Sequence, residues 1–120
     1  MTVHIWWIRR DIRLQDNPAL TAAVEGAQNL IPLFILEPEM LSKAAPKRRA
    51  LLLNALVDLD EQLRRLGSRL ILRQGSAEEA LPAFAAELGD CRVFAQEDFS
   101  PLARGRDAGI ARKVDLTLTP

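Results

Sequence analysis

Five short apolar runs alternate along the chain with segments in which leucine and alanine recur at helical spacing. The runs predict β-strands at residues 2–8, 29–36, 69–72, 91–95 and 114–118. The first run, TVHIWWI, is apolar at nearly every position and rich in β-branched and aromatic residues, which is typical of a strand covered on both faces. The second run contains Pro32, an unusual residue for a paired strand because it removes one ladder hydrogen bond.

The segments between these runs predict four helices. Asp16 or Asn17 can cap the first helix and Pro18 suits its first turn, so we expect it to span residues 18–25 and to end at Gly26. After a polar loop at 37–46, a stripe of leucines predicts a long amphipathic helix that runs through Gly67. The stripe consists of Leu52, Leu56, Leu59, Leu63 and Leu66. The last two helices are predicted at residues 77–88 and 101–113.

This alternation of strands and helices predicts an α/β fold, a three-layer α/β/α sandwich. Right-handed crossovers between successive strands produce a parallel sheet with helices on both faces. We expect one domain over residues 1–120, with a five-stranded parallel Rossmann-like sheet in the order 3-2-1-4-5. Ligands of such sheets bind beyond the carboxyl ends of the strands, so the loops at 9–17 and 96–101 should meet at the ligand edge.

Composition narrows the classes of function. Sixteen basic and sixteen acidic residues cancel, so no overall field attracts nucleic acid or an anionic membrane. Cys91 is the single cysteine and His4 the single histidine, which leaves no disulfide and no metal site, and a reducing cytoplasm fits best. No apolar run approaches the length that spans a bilayer.

The sequence lacks the glycine-rich loops that hold phosphates in common nucleotide-binding proteins. Neither Gly-x-Gly-x-x-Gly nor Gly-x-x-x-x-Gly-Lys-Ser/Thr occurs, which disfavours an ordinary NAD domain or a kinase. His4 lies in the middle of a predicted strand and is expected to be a core histidine, so no Ser/His/Asp set can be assembled around it. No catalytic residue is predicted in this chain.

Three blocks of the sequence resemble the DNA photolyase and cryptochrome family. The first, VHIWWIRRDIRLQDNPAL at 3–20, is a strand followed by an arginine-rich turn and a helix start. The second is PKRRALLLNALVDLDEQLRRLGSRLILRQG at 46–75, and the third is AQEDFSPLARGRDAGIARKV at 95–114. Three blocks in the family's order, which together cover nearly the whole chain, make the resemblance specific.

The resemblance implies the light-harvesting domain of a deoxyribodipyrimidine photolyase. In the family, the amino-terminal α/β domain carries an antenna chromophore at its edge, and a carboxyl-terminal helical domain binds FAD and uses light to repair pyrimidine dimers in DNA. Nothing in this chain resembles the FAD-binding helices, so we expect that domain, the partner of this one, to be absent from the chain and the chain alone to be inactive. The alternatives are a cryptochrome photoreceptor domain, a Rossmann-like nucleotide-binding module without photochemistry, and a scaffold that binds no small molecule.

The resemblance also favours a deazaflavin or an FMN- or FAD-like antenna over methenyltetrahydrofolate. Folate-binding members place an acidic residue three positions before the Arg of Arg-Asp, where this chain has Ala103. Members with a deazaflavin or flavin place an Arg at the start of the long helix and an acid after strand four, and these positions are Arg48 and Asp98 here. Apolar walls of the cofactor site are expected from Phe34, Ile35 and Leu36.

The other polar residues of these blocks are interpreted as structural or as contacts to the helical domain. They are Arg9, Arg10, Asp11, Arg13, Asp16, Asn17, Arg106 and Asp107. A pairing of Arg with a carboxylate is a common way to fix a turn. Simpler alternatives also exist for the two charged cofactor residues, because Arg48 can lie on the solvated first turn of its helix and Asp98 can cap the turn before Pro101.

Overall fold

A computed structural model, which describes residues 2–120, confirms the predicted alternation of strands and helices. The strands are β1 (Val3–Ile8), β2 (Asn29–Leu36), β3 (Ile71–Gln74), β4 (Cys91–Gln96) and β5 (Leu116–Thr119). The helices are α1 (Pro18–Val24), α2 (Pro38–Ser42), α3 (Pro46–Arg65), α4 (Ala77–Leu88) and α5 (Pro101–Ala111). All neighbouring strands are parallel and their order is β3-β2-β1-β4-β5, as the sequence predicts.

Strand β1 lies at the centre of the sheet and contributes to both hydrophobic cores. Its side chains alternate between the two faces. Ile5 and Trp7 pack in the cluster that contains residues of α4 and α5, whereas Trp6 and Ile8 pack in the cluster with α1 and α3. This double burial explains why the sequence of β1 is apolar at nearly every position rather than at alternate ones.

Helix α3 covers one face of the sheet with the predicted leucine stripe. Leu56, Leu59 and Leu63 are buried, but Leu66 is 73% exposed, so the stripe is one turn shorter than predicted. The helix ends at Arg65. The N–H groups of Leu66 and Ser68 both bond to the carbonyl of Leu63, and Gly67, with a positive φ, turns the chain away. Within residues 2–120, no helix combines the length and the apolar character needed to cross a bilayer.

The segment 37–46, predicted as a polar loop, contains the short helix α2. Pro38 occupies its first turn, and the hydroxyl of Ser42 donates to the carbonyl of Pro38 one turn back. Met40 and Leu41 pack against the cluster under α1 and α3. The loop prediction was wrong because one helical turn with two apolar residues is too short to show a repeat in the sequence.

Two strands begin two residues later than predicted because backbone groups near their starts are bonded elsewhere. Strand β3 begins at Ile71 rather than at residue 69, and the N–H of Leu70 donates to Asp60 Oδ1 of α3 at 2.9 Å. Strand β5 begins at Leu116 rather than at residue 114, because the N–H of Val114 bonds to the carbonyl of Ile110 and prolongs the turn after α5. Strand β2 keeps its predicted bounds, and its pairing with β3 starts only at Leu33, after Pro32.

Candidate functional site

A cavity of about 200 Å³, called here the inner cavity, opens at the carboxyl ends of the central strands. Its apolar wall consists of Trp7, Ile8, Phe34, Ile35 and Met40. Its polar lining consists of Arg9, Arg10, Glu37, Asp98 and Arg106. The cavity lies at the switch point between β1 and β4, which is the edge that the topology predicts for a ligand.

A second cavity of about 320 Å³, the outer cavity, adjoins the inner one. The two share Arg9, Arg10 and Asp98, and the outer cavity adds Gln96, Glu97 and Phe99. Ligand sites in proteins usually measure about 300–1,000 Å³, so the inner cavity alone is small for a drug-sized molecule. A ligand that extends from the inner into the outer cavity fits this range.

A third cavity of about 400 Å³, the α2 cavity, lies on the other side of the inner one. Leu36, Leu41 and Arg49 line it, and Glu37 lines both the α2 cavity and the inner cavity. Of the three residues predicted as apolar walls, Phe34 and Ile35 therefore lie in the inner cavity, whereas Leu36 lines the α2 cavity.

Arg9, which lines the inner cavity, contacts β1, the end of β4 and α5. Its Nη1 donates to Asp107 Oδ2 of α5 at 2.9 Å and to the carbonyl of Gln96, the last residue of β4, at 3.2 Å. The guanidinium lies over the indole of Trp7, with Cζ 4.7 Å from the ring centre. The loops at 9–17 and 96–101 meet here, as predicted.

Asp107 is the buried half of this ion pair. The residue is 4% exposed, and its Oδ1 has no hydrogen-bond partner within residues 2–120. A buried carboxylate is stable only when its charge is compensated, so Arg9 is the group that holds Asp107 in place. The described contacts of both residues lie within this chain, and the expectation that Arg9 also braces the junction with a helical domain stays a prediction.

Asp11 organises the turn that follows β1. Its Oδ1 accepts the N–H of Arg9 at 3.0 Å, its Oδ2 lies 3.4 Å from Trp6 Nε1, and its carbonyl accepts Asn17 Nδ2 at 3.2 Å. Asn17 then caps α1 by accepting the N–H of Leu20 at 3.0 Å. The turn is therefore fixed by its own polar side chains.

Arg13 and Asp16 complete the same turn at its surface. The guanidinium of Arg13 donates to the carbonyls of Gln15 and Asp16 at 3.1 and 3.0 Å. Asp16 adopts a left-handed conformation with φ of 48°, which aspartate tolerates better than most residues. Because the described hydrogen bonds of Arg13 are to carbonyls of this turn and Asp16 provides its left-handed residue, both residues shape the turn itself.

Arg106 joins the end of β2 to α5 across the inner cavity. Its Nη2 lies 2.5 Å from Glu37 Oε1, and its Nε lies 4.0 Å from Glu78 Oε1 at the start of α4. Because Glu37 lines both the inner and the α2 cavity, the Arg106–Glu37 ion pair forms part of the wall between them. Glu37 was not predicted as a site residue, although an acid directly after a buried strand is a usable signal.

Asp98 was predicted either to contact a cofactor or to cap the turn before Pro101. It caps that turn and also lines the inner and outer cavities, so the two roles are compatible. Its Oδ1 accepts the N–H of Ser100 at 3.0 Å, and its Oδ2 lies 3.8 Å from Arg10 Nη2. The hydrogen bond from Ser100 lowers the pKa of Asp98 most, the charges of Arg10 and Arg9 lower this pKa further, and partial burial opposes them. Asp98 is therefore a carboxylate at neutral pH.

Arg48 and Arg49 occupy different surroundings at the start of α3. Arg48 is exposed, lines none of the three cavities and has no hydrogen bond or ion pair among the described residues. Arg49 is partly buried, donates to the carbonyl of Leu41 at 3.1 Å and lines the α2 cavity. The structure thus does not bring Arg48 and Asp98 to one cavity, and Arg49 is the arginine of this segment that faces α2.

The sequence interpretation did not name three apolar wall residues of the inner cavity, which are Trp7, Ile8 and Met40. Trp7 follows the period-2 pattern of β1 to its carboxyl end, so its position at the ligand edge was available from the sequence. Met40 belongs to helix α2, which was not predicted, and no pattern pointed to it.

Comparisons with known proteins agree on one family. A sequence model of the DNA photolyase family matches residues 4–118. A deoxyribodipyrimidine photo-lyase of Halobacterium salinarum is 41% identical over 122 residues, which cover 94% of this chain and 25% of that protein. Cryptochrome-2 of Gallus gallus is 39% identical over 110 residues, which cover 90% of this chain and 19% of that protein.

A solved structure supports the same relationship. An archaeal photolyase from Sulfolobus tokodaii superposes with a TM-score of 0.87 at 28% identity, and the match covers 97% of this chain and 28% of that one. That protein is described as carrying two FAD molecules, with the implication of a novel light-harvesting cofactor. The present chain spans about a quarter of the length of the proteins that it matches.

Proposed function

We propose that this chain, which belongs to the DNA photolyase family, is the antenna-chromophore domain of a photolyase that repairs pyrimidine dimers in DNA. The observation that carries the proposal is the inner cavity, which combines aromatic walls with one available carboxylate at the ligand edge of the sheet. An antenna chromophore, when bound, absorbs near-ultraviolet or blue light and passes the energy to the catalytic flavin. The chain's own residues have to hold the chromophore at the ligand edge of the sheet.

The lining of the inner cavity fits a planar heterocycle with a polar edge. Trp7, Phe34 and Met40 provide flat or adaptable apolar surface. Two carboxylates line the cavity, and Glu37 is already paired with Arg106. Asp98 accepts the N–H of Ser100 through Oδ1, whereas its Oδ2, 3.8 Å from Arg10 Nη2, keeps acceptor capacity for the N–H of a ring imide or for ribityl hydroxyls.

The same lining favours a flavin or deazaflavin over a folate. Ala103 is buried and lines the inner cavity at the position where folate-binding relatives would carry an acid. A methyl group accepts no hydrogen bond from a pterin, so a folate would lose one polar contact there. The resemblance also predicts that Arg48 contacts a flavin antenna, but Arg48 lines none of the three cavities, so the cavities do not support that prediction.

We further propose that the larger remainder of the protein supplies an FAD-binding helical domain that packs against this one. Phe99 and Leu102 are 57% and 75% exposed at the start of α5, beside the outer cavity. In this proposal, these exposed apolar side chains form part of the surface that the helical domain covers. Damaged DNA would contact the protein through that domain, because the equal numbers of acids and bases here provide no basic surface field. We place the protein in the cytoplasm, where Cys91 remains a thiol.

A cryptochrome photoreceptor is the second candidate function. The observation that favours it is the 39% identity to a cryptochrome, close to the 41% identity to a photolyase. Both candidates predict the same chromophore site in this chain, and they differ in what the rest of the protein does. Repair of a cyclobutane dimer under blue light by the full-length protein separates them.

The proposed site is tested by titrating the chain with candidate chromophores. Fluorescence anisotropy and induced visible circular dichroism are recorded with FMN, a deazaflavin and methenyltetrahydrofolate. We expect the flavins to bind and the D98N variant to lose about tenfold or more in affinity, because the amide keeps the turn-capping oxygen but lacks the charge. Tighter binding of the folate than of any flavin, or no binding of any of the three, would contradict the proposal.

A further inference from the structure

Three arginines line the inner cavity, and they differ in how their charges are used. Arg9 is bonded to Asp107 and to the carbonyl of Gln96. Arg106 is paired with Glu37 at 2.5 Å. Arg10 is 89% exposed on its side chain, and its one ion pair among the described residues is with Asp98, whose Oδ2 is 3.8 Å from its Nη2. This distance exceeds the 2.7–2.9 Å of a charge-assisted hydrogen bond, so Arg10 keeps its donors available.

Arg10 also lies where the inner and outer cavities join. It lines both of them, together with Arg9 and Asp98. A ligand whose ring occupies the inner cavity has to extend its tail past this junction, since the inner cavity holds only about 200 Å³. The first cation with free donors that the tail meets is the guanidinium of Arg10.

We propose that Arg10 binds the phosphate of the chromophore's tail and so selects phosphorylated flavins over unphosphorylated ones. This inference rests on the proposed antenna function and adds the chemical class of the ligand's tail. A guanidinium presents two parallel N–H groups to two phosphate oxygens, a geometry that a carboxylate 3.8 Å away does not already occupy. Turning Arg10 from Asp98 to the phosphate costs little because exposed ion pairs contribute little stability.

The same movement frees Asp98 for the chromophore's ring. Asp98 retains its hydrogen bond from the N–H of Ser100, so it stays ionised and in place when Arg10 leaves. Its second oxygen then accepts from the ring or the ribityl chain. The ion pair between Arg10 and Asp98 is thus replaced by two contacts with the ligand. Arg10 binds the phosphate, and Asp98 accepts from the ring or the ribityl chain.

The neighbouring cations are less suited to this role. Arg13 donates to carbonyls of its own turn and lines neither cavity. Arg104 lies over the ring of Phe99, with Cζ 5.6 Å from the ring centre, and also lines neither cavity. Glu97 lines the outer cavity and repels an anion, which restricts the phosphate to the side of the junction near Arg10.

The test compares riboflavin with FMN, two ligands that share the ring and differ in the phosphate. Their dissociation constants are measured by calorimetry for the unaltered chain and for R10Q, R10K and R13Q. We expect FMN to bind the unaltered chain about tenfold or more tightly than riboflavin, since a charge-assisted hydrogen bond is worth that much. In R10Q this ratio should fall to about one, R10K should keep part of it because it keeps the charge, and R13Q should keep all of it. Inorganic phosphate should compete with FMN and leave riboflavin bound.

The possible failures are distinguishable. Binding of both flavins by the unaltered chain with equal affinity overturns the role of Arg10 and leaves the antenna proposal standing. A loss of the FMN preference in R13Q as large as in R10Q overturns it too, because the effect would then come from net charge alone. Failure of both flavins to bind the unaltered chain overturns the antenna function and this inference with it. Thermal unfolding of R10Q and R13Q confirms that both variants are folded.

Discussion

Arg9 and Asp107 form an ion pair of 2.9 Å across 98 residues of sequence, and this pair links the residue that follows β1 to α5. Asp107 is almost fully buried, and the Arg9 guanidinium also packs on Trp7 in the wall of the inner cavity. The ion pair therefore affects both the stability of the domain, through the buried Asp107, and the shape of the inner cavity, through Arg9. One end of the link is a core position and the other is a cavity wall.

Removing Arg9 should destabilise the domain strongly. In R9M the carboxylate of Asp107 stays buried without its cation, and breaking a buried pair on one side costs about 3 kcal/mol or more. The measurement is urea unfolding followed by circular dichroism. In the double variant R9M/D107L no charge is left uncompensated, so we expect it to recover at least half of the loss. If R9M and R9M/D107L have the same free energy of unfolding, Asp107 is not the reason for the loss.

The Arg106–Glu37 ion pair should contribute less stability but should govern the shape of the site. Both side chains are partly buried, so the R106M variant is expected to lose about 1–2 kcal/mol of unfolding free energy, after allowance for solvent screening. The matched control is E78Q, because Glu78 is exposed and lies 4.0 Å from Arg106. We expect E78Q to change stability by less than about 0.5 kcal/mol.

The effect of R106M on ligand size follows from the position of the pair. It forms part of the wall between the inner and the α2 cavity, so its removal should join the two. If the chain binds a flavin as proposed, R106M should bind flavins with bulky ring substituents more tightly than the unaltered chain does. Equal discrimination by R106M and the unaltered chain in a fluorescence titration would argue that other residues, such as Met40, separate the cavities.

Sequence patterns predicted the fold well because its determinants are local. The apolar run of β1, the Asn17–Pro18 start of α1 and the leucines of α3 each specify an element within a few residues. The handedness of crossovers then predicts a parallel sheet, and the strand order 3-2-1-4-5 comes from the Rossmann-like arrangement. The element that was missed, α2, is a single turn fixed by packing of Met40 and Leu41 against other elements.

The site was predicted less completely because its geometry depends on contacts between distant segments. The meeting of the loops after β1 and β4 follows from topology, and Asp98, Phe34 and Ile35 do line the inner cavity. The pairing of Arg106 with Glu37, 69 residues apart, has no local signature. The choice between Arg48 and Arg49 depends on the rotation of α3 about its axis at its first turn, where consecutive residues point about 100° apart.

Asp60 should make the stability of the domain sensitive to acid. The N–H of Leu70 is the main cause that lowers the pKa of Asp60 below its usual 3.8, and Arg64 lowers it further. A carboxyl whose pKa is lower in the folded state contributes stability that is complete above the unfolded pKa and is lost as pH falls through the folded value.

This contribution is measured by chemical unfolding between pH 7 and pH 2.5. The D60N variant should be less stable than the unaltered chain at pH 7, and the difference should shrink below pH 4 as the carboxyl of the unaltered chain is protonated. The E61Q variant is the control, because Glu61 is an exposed neighbour on the same helix. A D60N difference that stays constant from pH 7 to pH 2.5 would show that the charge of Asp60 has no role.

Cys91 should react slowly with thiol reagents in the folded protein. Partial burial is the main cause that raises the pKa of the Cys91 thiol above its usual 9.0, and the charges of Asp90 and Asp115 raise it further. The thiolate is the reactive form, so at pH 8 only a small fraction of Cys91 is reactive.

Disulfide exchange of Cys91 with an aromatic disulfide, followed by absorbance, should be at least about tenfold slower than in the urea-unfolded chain. The D90N variant should react faster than the unaltered chain, since one of the opposing charges is gone. Equal rates for the folded and unfolded chain would mean that the fold does not protect this thiol.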